Sequence, residues 1–186
     1  MSNVAGNVAA WTVLTPIIPG QDDDLRAMLA KLGVGEDSPL AKASRTHFAR
    51  WVVIPQLVFQ GRPQKPDPLR SQYLLFTACC DAPRETYLDH IRETMPQEAD
   101  AIWGHCVAYP GAADAAKFRA YFEHNSIDSQ FFVAAYPTIT VQGVQAALAL
   151  RDRLIAFATE SQGLDAAAFA TAYRQRLGRQ AVEVSS

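Results

Sequence analysis

The chain has 186 residues, of which 49% are hydrophobic, 10% aromatic and 19% charged. Seventeen basic side chains oppose nineteen acidic ones, for a formal net charge of −2. That composition is too apolar for a disordered chain, long enough to bury a single core, and without the basic excess of a nucleic-acid binder.

The opening MSNVAGNVAAWTVL has no basic region ahead of an apolar stretch and does not read as a secretory signal. No run approaches the roughly 18 to 20 apolar residues of a membrane span. Of three cysteines, Cys79 and Cys80 are adjacent and badly placed to pair with each other. The expectation is a cytoplasmic protein without a disulfide framework.

Residues 11–18 (WTVLTPII) are rich in β-branched side chains and predict a first strand, closed by Pro19-Gly20. Asp22, Asp23 and Asp24 suit a helix N-terminus, where acids oppose the positive dipole end. Leu25, Met28, Leu29 and Leu32 then fall on one helical face, ended by Gly33 and Gly35. Phe48–Ile54 predicts a second strand, and Pro63, Pro66 and Pro68 mark a loop. Tyr73–Cys80 predicts a third. Asp81 and Pro83 open a helix that Pro96 divides, with a second piece to Trp103. His105–Tyr109 predicts a fourth strand, Ala115–Glu123 a helix, and Phe131–Tyr136 a fifth strand. A long helix from Val141 to about Thr159 and a last one over Leu164–Leu177 complete the chain, before a frayed AVEVSS tail.

To Tyr109 the order is β-α-β-β-α-β, the split βαβ, ferredoxin-like arrangement, with helices and a fifth strand appended. Residues 1–9 read as a flexible N-terminus, 10–160 as one α+β domain, and 161–186 as a C-terminal helix and tail. The third and fifth strands are apolar on both faces, whereas crossover helices cover only one. A partner subunit is the expected cover for the second face, with appended helices as the rival.

The element order, the opening TPIIPGQDDDLRAMLAKL, and the segments THFARWVVI and IWGHCVAYP resemble the dimeric α+β barrel superfamily over roughly residues 10–160. The likeness is to a branch distantly similar to its dye-decolourising peroxidase and monooxygenase families. It implies two ferredoxin-like sheets facing each other in a homodimer, with small-molecule pockets beside the sheet. Members include cofactor-free monooxygenases and isomerases, and haem enzymes such as dye-decolourising peroxidases and chlorite dismutases. The GxxDG motif of the dye-decolourising peroxidases is absent here.

The four histidines are His47, His90, His105 and His124. His47 and His105 start strands at opposite edges of the expected sheet, which with strands about 4.8 Å apart separates them by well over 10 Å. They cannot share an ion, and no tightly bound metal is expected. His47, Ala49 and Trp51 share one strand face; Phe48, Arg50 and Val52 share the other. Arg50, among apolar neighbours, reads as an anion or carbonyl anchor, or as a salt-bridged or snorkelling edge residue. His105 and Cys106 are adjacent and face opposite ways, so the histidine cannot activate that thiol. His124 ends a helix, where a cation meets the negative dipole end, beside Phe118, Phe122, Phe131 and Phe132.

The reading that follows is a small-molecule enzyme for an apolar or aromatic metabolite, with monooxygenase-like oxidative or proton-transfer chemistry. His124 or His105 would accept the proton and Arg50 would anchor the substrate. His47, Trp51, Trp103 and Tyr136 would contact the ligand. No cofactor is expected; the alternatives are a haem peroxidase or oxidase with His124 as axial ligand, and a non-catalytic binding or oligomerisation module. Nucleic acid and membrane are not expected partners.

Overall fold

A computed structural model of the chain describes residues 3–43, 45–58, 61–63, 65, 68–81 and 83–176. The chain divides into two units, Met1–Gln142 and Gly143–Ser186. Among the described residues it is an α+β protein with one four-stranded antiparallel sheet and seven α-helices.

In the first unit, β1 (Val4–Ala5) and β2 (Val8–Pro16) form a hairpin through Gly6-Asn7. Gly6 has φ +61°, and a Cβ there would lie 2.3 Å from the Pro137 carbonyl oxygen. Only glycine satisfies both the turn and the close approach. The sheet therefore begins ahead of Trp11, the residue at which the first strand is predicted. α1 (Asp22–Leu29) follows with its three acids in the first turn, and buries Leu25. After a 3₁₀ turn (Gly35–Asp37) and the short α2 (Pro39–Lys42), β3 (Thr46–Ile54) and β4 (Tyr73–Asp81) run antiparallel to each other. β4 inserts between β2 and β3, giving the order β1-β2-β4-β3. α3 (Arg84–Thr94), α4 (Pro96–Trp103) and α5 (Ala115–His124) pack onto one face. Pro96 starts α4, as proline suits a first helical position, and Asp114 caps α5 by accepting from Ala116 N–H and Lys117 N–H at 3.0 and 3.1 Å.

The core lies between those helices and the inward face of the sheet. Trp11, Phe76, Trp103 and Phe122 sit at its centre, with Trp103 and Phe122 edge to face at 4.8 Å. Along β2 and β4 burial alternates: Ala9, Trp11, Val13 and Leu74, Phe76, Ala78 are buried, and the residues between them half-buried. Within the Met1–Gln142 unit, the two-sided apolar character read in β4 meets α3, α4 and α5 on one side. The other face carries Leu14, Leu75 and Cys79, with Phe48 77% exposed.

Two predicted strands do not form. His105–Tyr109 is a tight turn region whose sole ladder contact is the bridge of Cys106 to Ile17. Ala108 takes a left-handed φ of 60° and Gly111 one of 82°, and Pro110 has no N–H to donate. The chain therefore leaves the sheet, forms α5, and returns. A strand continuing past Cys106 would set Pro110 against Val13; Ser126 sits there instead. The outer rail of β2 is built in pieces. His105 and Asn125 carbonyls accept from Ile18 and Leu14 N–H at 2.9 and 3.0 Å, and the Asn3 carbonyl accepts from Ala10 N–H at 2.7 Å. Phe131–Tyr136 is irregular, with Phe131 and Tyr136 85% and 73% exposed. Its strand propensity finds no open edge on β2, because those pieces already fill it.

The second unit holds most of α6 (Val141–Glu160) and α7 (Ala166–Arg176). Phe157, Phe169 and Tyr173 pack their rings together there, with Phe157 and Phe169 5.3 Å apart. The predicted last helix reaches Leu177, and the predicted tail lies beyond it; both extend outside the described residues. Among the described residues no helix is long and apolar enough to cross a membrane.

Candidate functional site

A cleft of about 500 Å³ opens between the end of α1, the 3₁₀ turn with α2, and the start of β3. Leu29, Leu32, Leu40 and Trp51 supply apolar wall, and Ser38, Thr46 and His47 the polar groups. Its rim is set by the tight path from Gly33 to Asp37: a Cβ on Gly33 would stand 2.4 Å from the Asp37 carbonyl oxygen. Ser38 caps α2, accepting from Leu40 N–H at 3.3 Å, which fixes the opposite lip.

His47 enters this wall through a bulge. Thr46 pairs with Cys80 and Phe48 with Cys79, so His47 is the extra residue between them. A bulge re-aims the side chain it carries. His47 Nε2 lies 2.9 Å from Asp81 Oδ1, and both groups are largely shielded from solvent. Asp81 is the last residue of β4, 6% exposed, and its carboxylate also accepts from Val141 N–H at 3.2 Å. A carboxylate at Nε2 selects the tautomer with its proton there, which leaves Nδ1 with a lone pair. The result is an imidazole held in one orientation by a buried carboxylate.

Beneath it, Thr46 Oγ1 lies 2.9 Å from Tyr87 Oη and 3.3 Å from the Ala43 carbonyl. The arrangement holds Thr46 donating to Ala43 and accepting from the tyrosine. Burial pushes the Tyr87 phenol well above its ordinary range, so it stays a neutral donor. Trp51 packs its ring 5.1 Å from Phe76, and its indole N–H is buried without a partner among the described residues.

Of the expected site residues, the structure brings His47 and Trp51 together and disperses the others. Trp103 is fully buried core, ringed by Phe76, Phe122 and Trp51, and is not a pocket wall. Tyr136 stands on the exposed irregular segment. Arg50 is exposed on the outward sheet face, where its Nε donates to Thr77 Oγ1 across the strand pair at 3.1 Å. His105 is half-buried beside the outer edge of β2, its Nδ1–H donating to Gln21 Oε1 at 3.0 Å. That bond ties α1 to the β2 rail and uses the ring structurally.

His124 is exposed at the end of α5. The aromatic set expected around it is not assembled, since Phe118 and Phe122 are core and Phe131 is on the surface. Those residues do not fit a haem pocket with His124 as axial ligand. Among the described residues no group of three or more His, Cys, Asp or Glu side chains could hold a metal ion.

Cys106 is buried beside Thr15, with Thr15 Oγ1 3.2 Å from its sulfur, and burial lifts its thiol to about 11. Cys80 is lifted to about 12 for the same reason. Both are neutral at ordinary pH and are not nucleophiles.

Asp81, expected from the sequence to open a helix, ends β4 instead and is the residue in contact with His47. The signal was available in the pairing of β3 and β4: antiparallel strands joined by a loop set the start of one against the end of the other. His47 and Asp81 occupy those two ends. No family model, curated protein or solved structure matches the chain.

Proposed function

We propose that the chain is a small-molecule enzyme that moves a proton on an apolar or aromatic metabolite held in the α1–β3 cleft. The observation that carries this reading is the bond between His47 Nε2 and Asp81 in the wall of that cleft. His47 accepts the proton at Nδ1, and Asp81 stabilises the imidazolium that results. The leucines and Trp51 exclude water from the apolar body of the ligand, and Ser38 and Thr46 offer polar contacts. Proton abstraction is the step that an isomerase and a cofactor-free oxygenase share, so the reading is compatible with either outcome.

The sheet order supports a ferredoxin-like frame whose fourth strand is interrupted by α5. The outward face with Phe48, Val52 and Leu75 is the one that a dimeric α+β barrel would cover with a second copy. Three free thiols, two of them buried, suit a reducing cytoplasm.

The test is ligand-observed NMR with a library of small aromatic acids, ketones and phenols. It uses the native chain, Ala41→Trp, which places bulk on an exposed cleft position, and His47→Gln. The expected result is binding by the native chain, loss of binding in Ala41→Trp, and binding without solvent-proton exchange into the ligand in His47→Gln. Binding that is unchanged in Ala41→Trp overturns the site. Proton exchange that persists in His47→Gln overturns the role of the histidine.

A further inference from the structure

Among the described residues, no arginine, lysine, aspartate or glutamate side chain lines the α1–β3 cleft. The charged residues of the same segments, Lys31, Glu36, Asp37, Lys42, Arg45 and Arg50, stand outside its wall. Behind His47 lies the Asp81 carboxylate, whose negative charge opposes an anion brought into the cleft. A ligand carboxylate would leave water for leucine and tryptophan walls without a cation to meet, which is costly. Such an anion is admitted only if His47 takes up a proton, and that removes the base.

The hydrogen-bonding groups narrow the ligand further. Thr46 donates to the Ala43 carbonyl and accepts from Tyr87, so toward the cleft it offers only a second lone pair. The Trp51 indole N–H is closed off from solvent. His47 gives its Nε2 proton to Asp81, and Nδ1, which is not among the buried unpaired atoms, presents a lone pair. Ser38 differs from these. Its Oγ accepts from Leu40 N–H at 3.3 Å, while its own proton goes to no described residue. The wall thus pairs a hydroxyl free to donate with an imidazole nitrogen free to accept.

We propose, resting on the proton-transfer reading above, that the ligand of this cleft is an uncharged carbonyl compound with an acidic α C–H, and that Ser38 donates to its carbonyl oxygen. His47 Nδ1 takes the α proton. The C–H electron pair becomes the C=C bond of an enolate, and the carbonyl π pair moves onto the oxygen facing Ser38. That hydrogen bond strengthens as charge gathers on the oxygen. Return of the proton to carbon restores the ketone and the neutral imidazole; in heavy water, once the imidazolium has exchanged, it delivers a deuteron.

The test uses the full chain at about pH 8.5, where an ordinary imidazole is neutral. Its probes are benzylacetone and hydrocinnamate, which share a shape and differ in charge. Benzylacetone should bind about tenfold or more tightly than hydrocinnamate, and its α positions should deuterate in heavy water with the native chain. Both effects should be lost in Ala41→Trp. Ser38→Asp still accepts from Leu40 N–H but has no proton to donate, so it separates the cap of α2 from the donor. Deuteration should slow on the order of a hundredfold in Ser38→Asp, with the circular-dichroism signal unchanged. Ser38→Thr keeps cap and donor and should recover exchange above the Ser38→Asp level. Hydrocinnamate binding that equals or exceeds benzylacetone binding, and is lost in Ala41→Trp, overturns this inference alone and leaves the cleft standing. Undiminished exchange in Ser38→Asp overturns the donor, and a native chain that leaves benzylacetone unbound overturns the ligand class. Binding or exchange that survives Ala41→Trp overturns the reading of the cleft as well.

Discussion

Raising the pH above the ordinary thiol range puts the packing around Cys80 and Cys106 to a quantitative test. Both are sealed in the core, at 0% and 2% exposure. Burial lifts Cys80 to about 12 and Cys106 to about 11 from an ordinary value of 9.0. In the unfolded chain both ionise near 9, so across the window above it the folded chain keeps two protons that the unfolded chain has released. Stability therefore falls as pH rises. Each thiol contributes about 1.4 kcal/mol per pH unit, and the pair about 3 kcal/mol per unit between pH 9 and 11. Below 9 the stabilisation is complete; above 11 Cys106 ceases to contribute to the slope. The assay is urea unfolding under reducing conditions from about pH 8 to about pH 11, followed by tryptophan fluorescence. The three tryptophans, Trp11, Trp51 and Trp103, all lie in the Met1–Gln142 unit. The comparison chain is Cys80→Ala/Cys106→Ala, which starts lower because of lost packing but declines less steeply. Tyr87, Tyr109 and Tyr121 are also pushed upward, chiefly by burial, and add to the decline above about pH 10 in both chains. Parallel stability curves for the two chains would refute the reasoning.

Other perturbations act on single contacts. Trp103→Ala should cost about 3 to 5 kcal/mol by opening a cavity at the aromatic centre, read as a lower urea midpoint. Ser126→Ala removes the acceptor of the Trp11 indole N–H, a 2.9 Å bond, and should cost about 1 to 3 kcal/mol for the orphaned donor. Gly6→Ala forces a left-handed alanine against Pro137 and should lower the thermal midpoint; an unchanged midpoint would show that the hairpin can move aside. Asp81→Asn should cost about 1 to 3 kcal/mol through the weakened bond to His47. It should also shift the His47 ring toward the other tautomer, which its ¹⁵N chemical shifts would report.

The elements with strong local signals were legible. Leu25, Met28, Leu29 and Leu32 marked α1 by spacing, Pro96 divided α3 from α4 at the expected residue, and α5 and α6 fell where the apolar periodicity placed them. The misses share one physical origin. HCVAY and FFVAAY have the composition of strands, but a strand also needs an edge to join. At His105–Tyr109 the backbone of Ala108 and Pro110 turns away from that edge, and at Phe131–Tyr136 the edge is already occupied. The site was half legible for a similar reason. His47 and Trp51 were singled out from their own strand. Asp81 required the register of β3 on β4 together with a one-residue bulge, and a bulge leaves no mark in residue spacing. Trp103 and Tyr136 were drawn to the site as aromatics, although one was needed by the core and the other sits on an unpaired segment.

The piecewise rail beside β2 gives a single strand two unequal sides. The N–H groups of Ala10, Leu14 and Ile18 point to three tethers that are far apart along the chain, while those of the alternate residues Trp11, Val13 and Thr15 face the continuous ladder with β4. Each tether can release alone, at a fraction of the free energy needed to part β2 from β4. Amide hydrogens on this strand should then exchange in an alternating pattern. Those facing β4 would report the opening of the whole sheet, and their neighbours three separate local events.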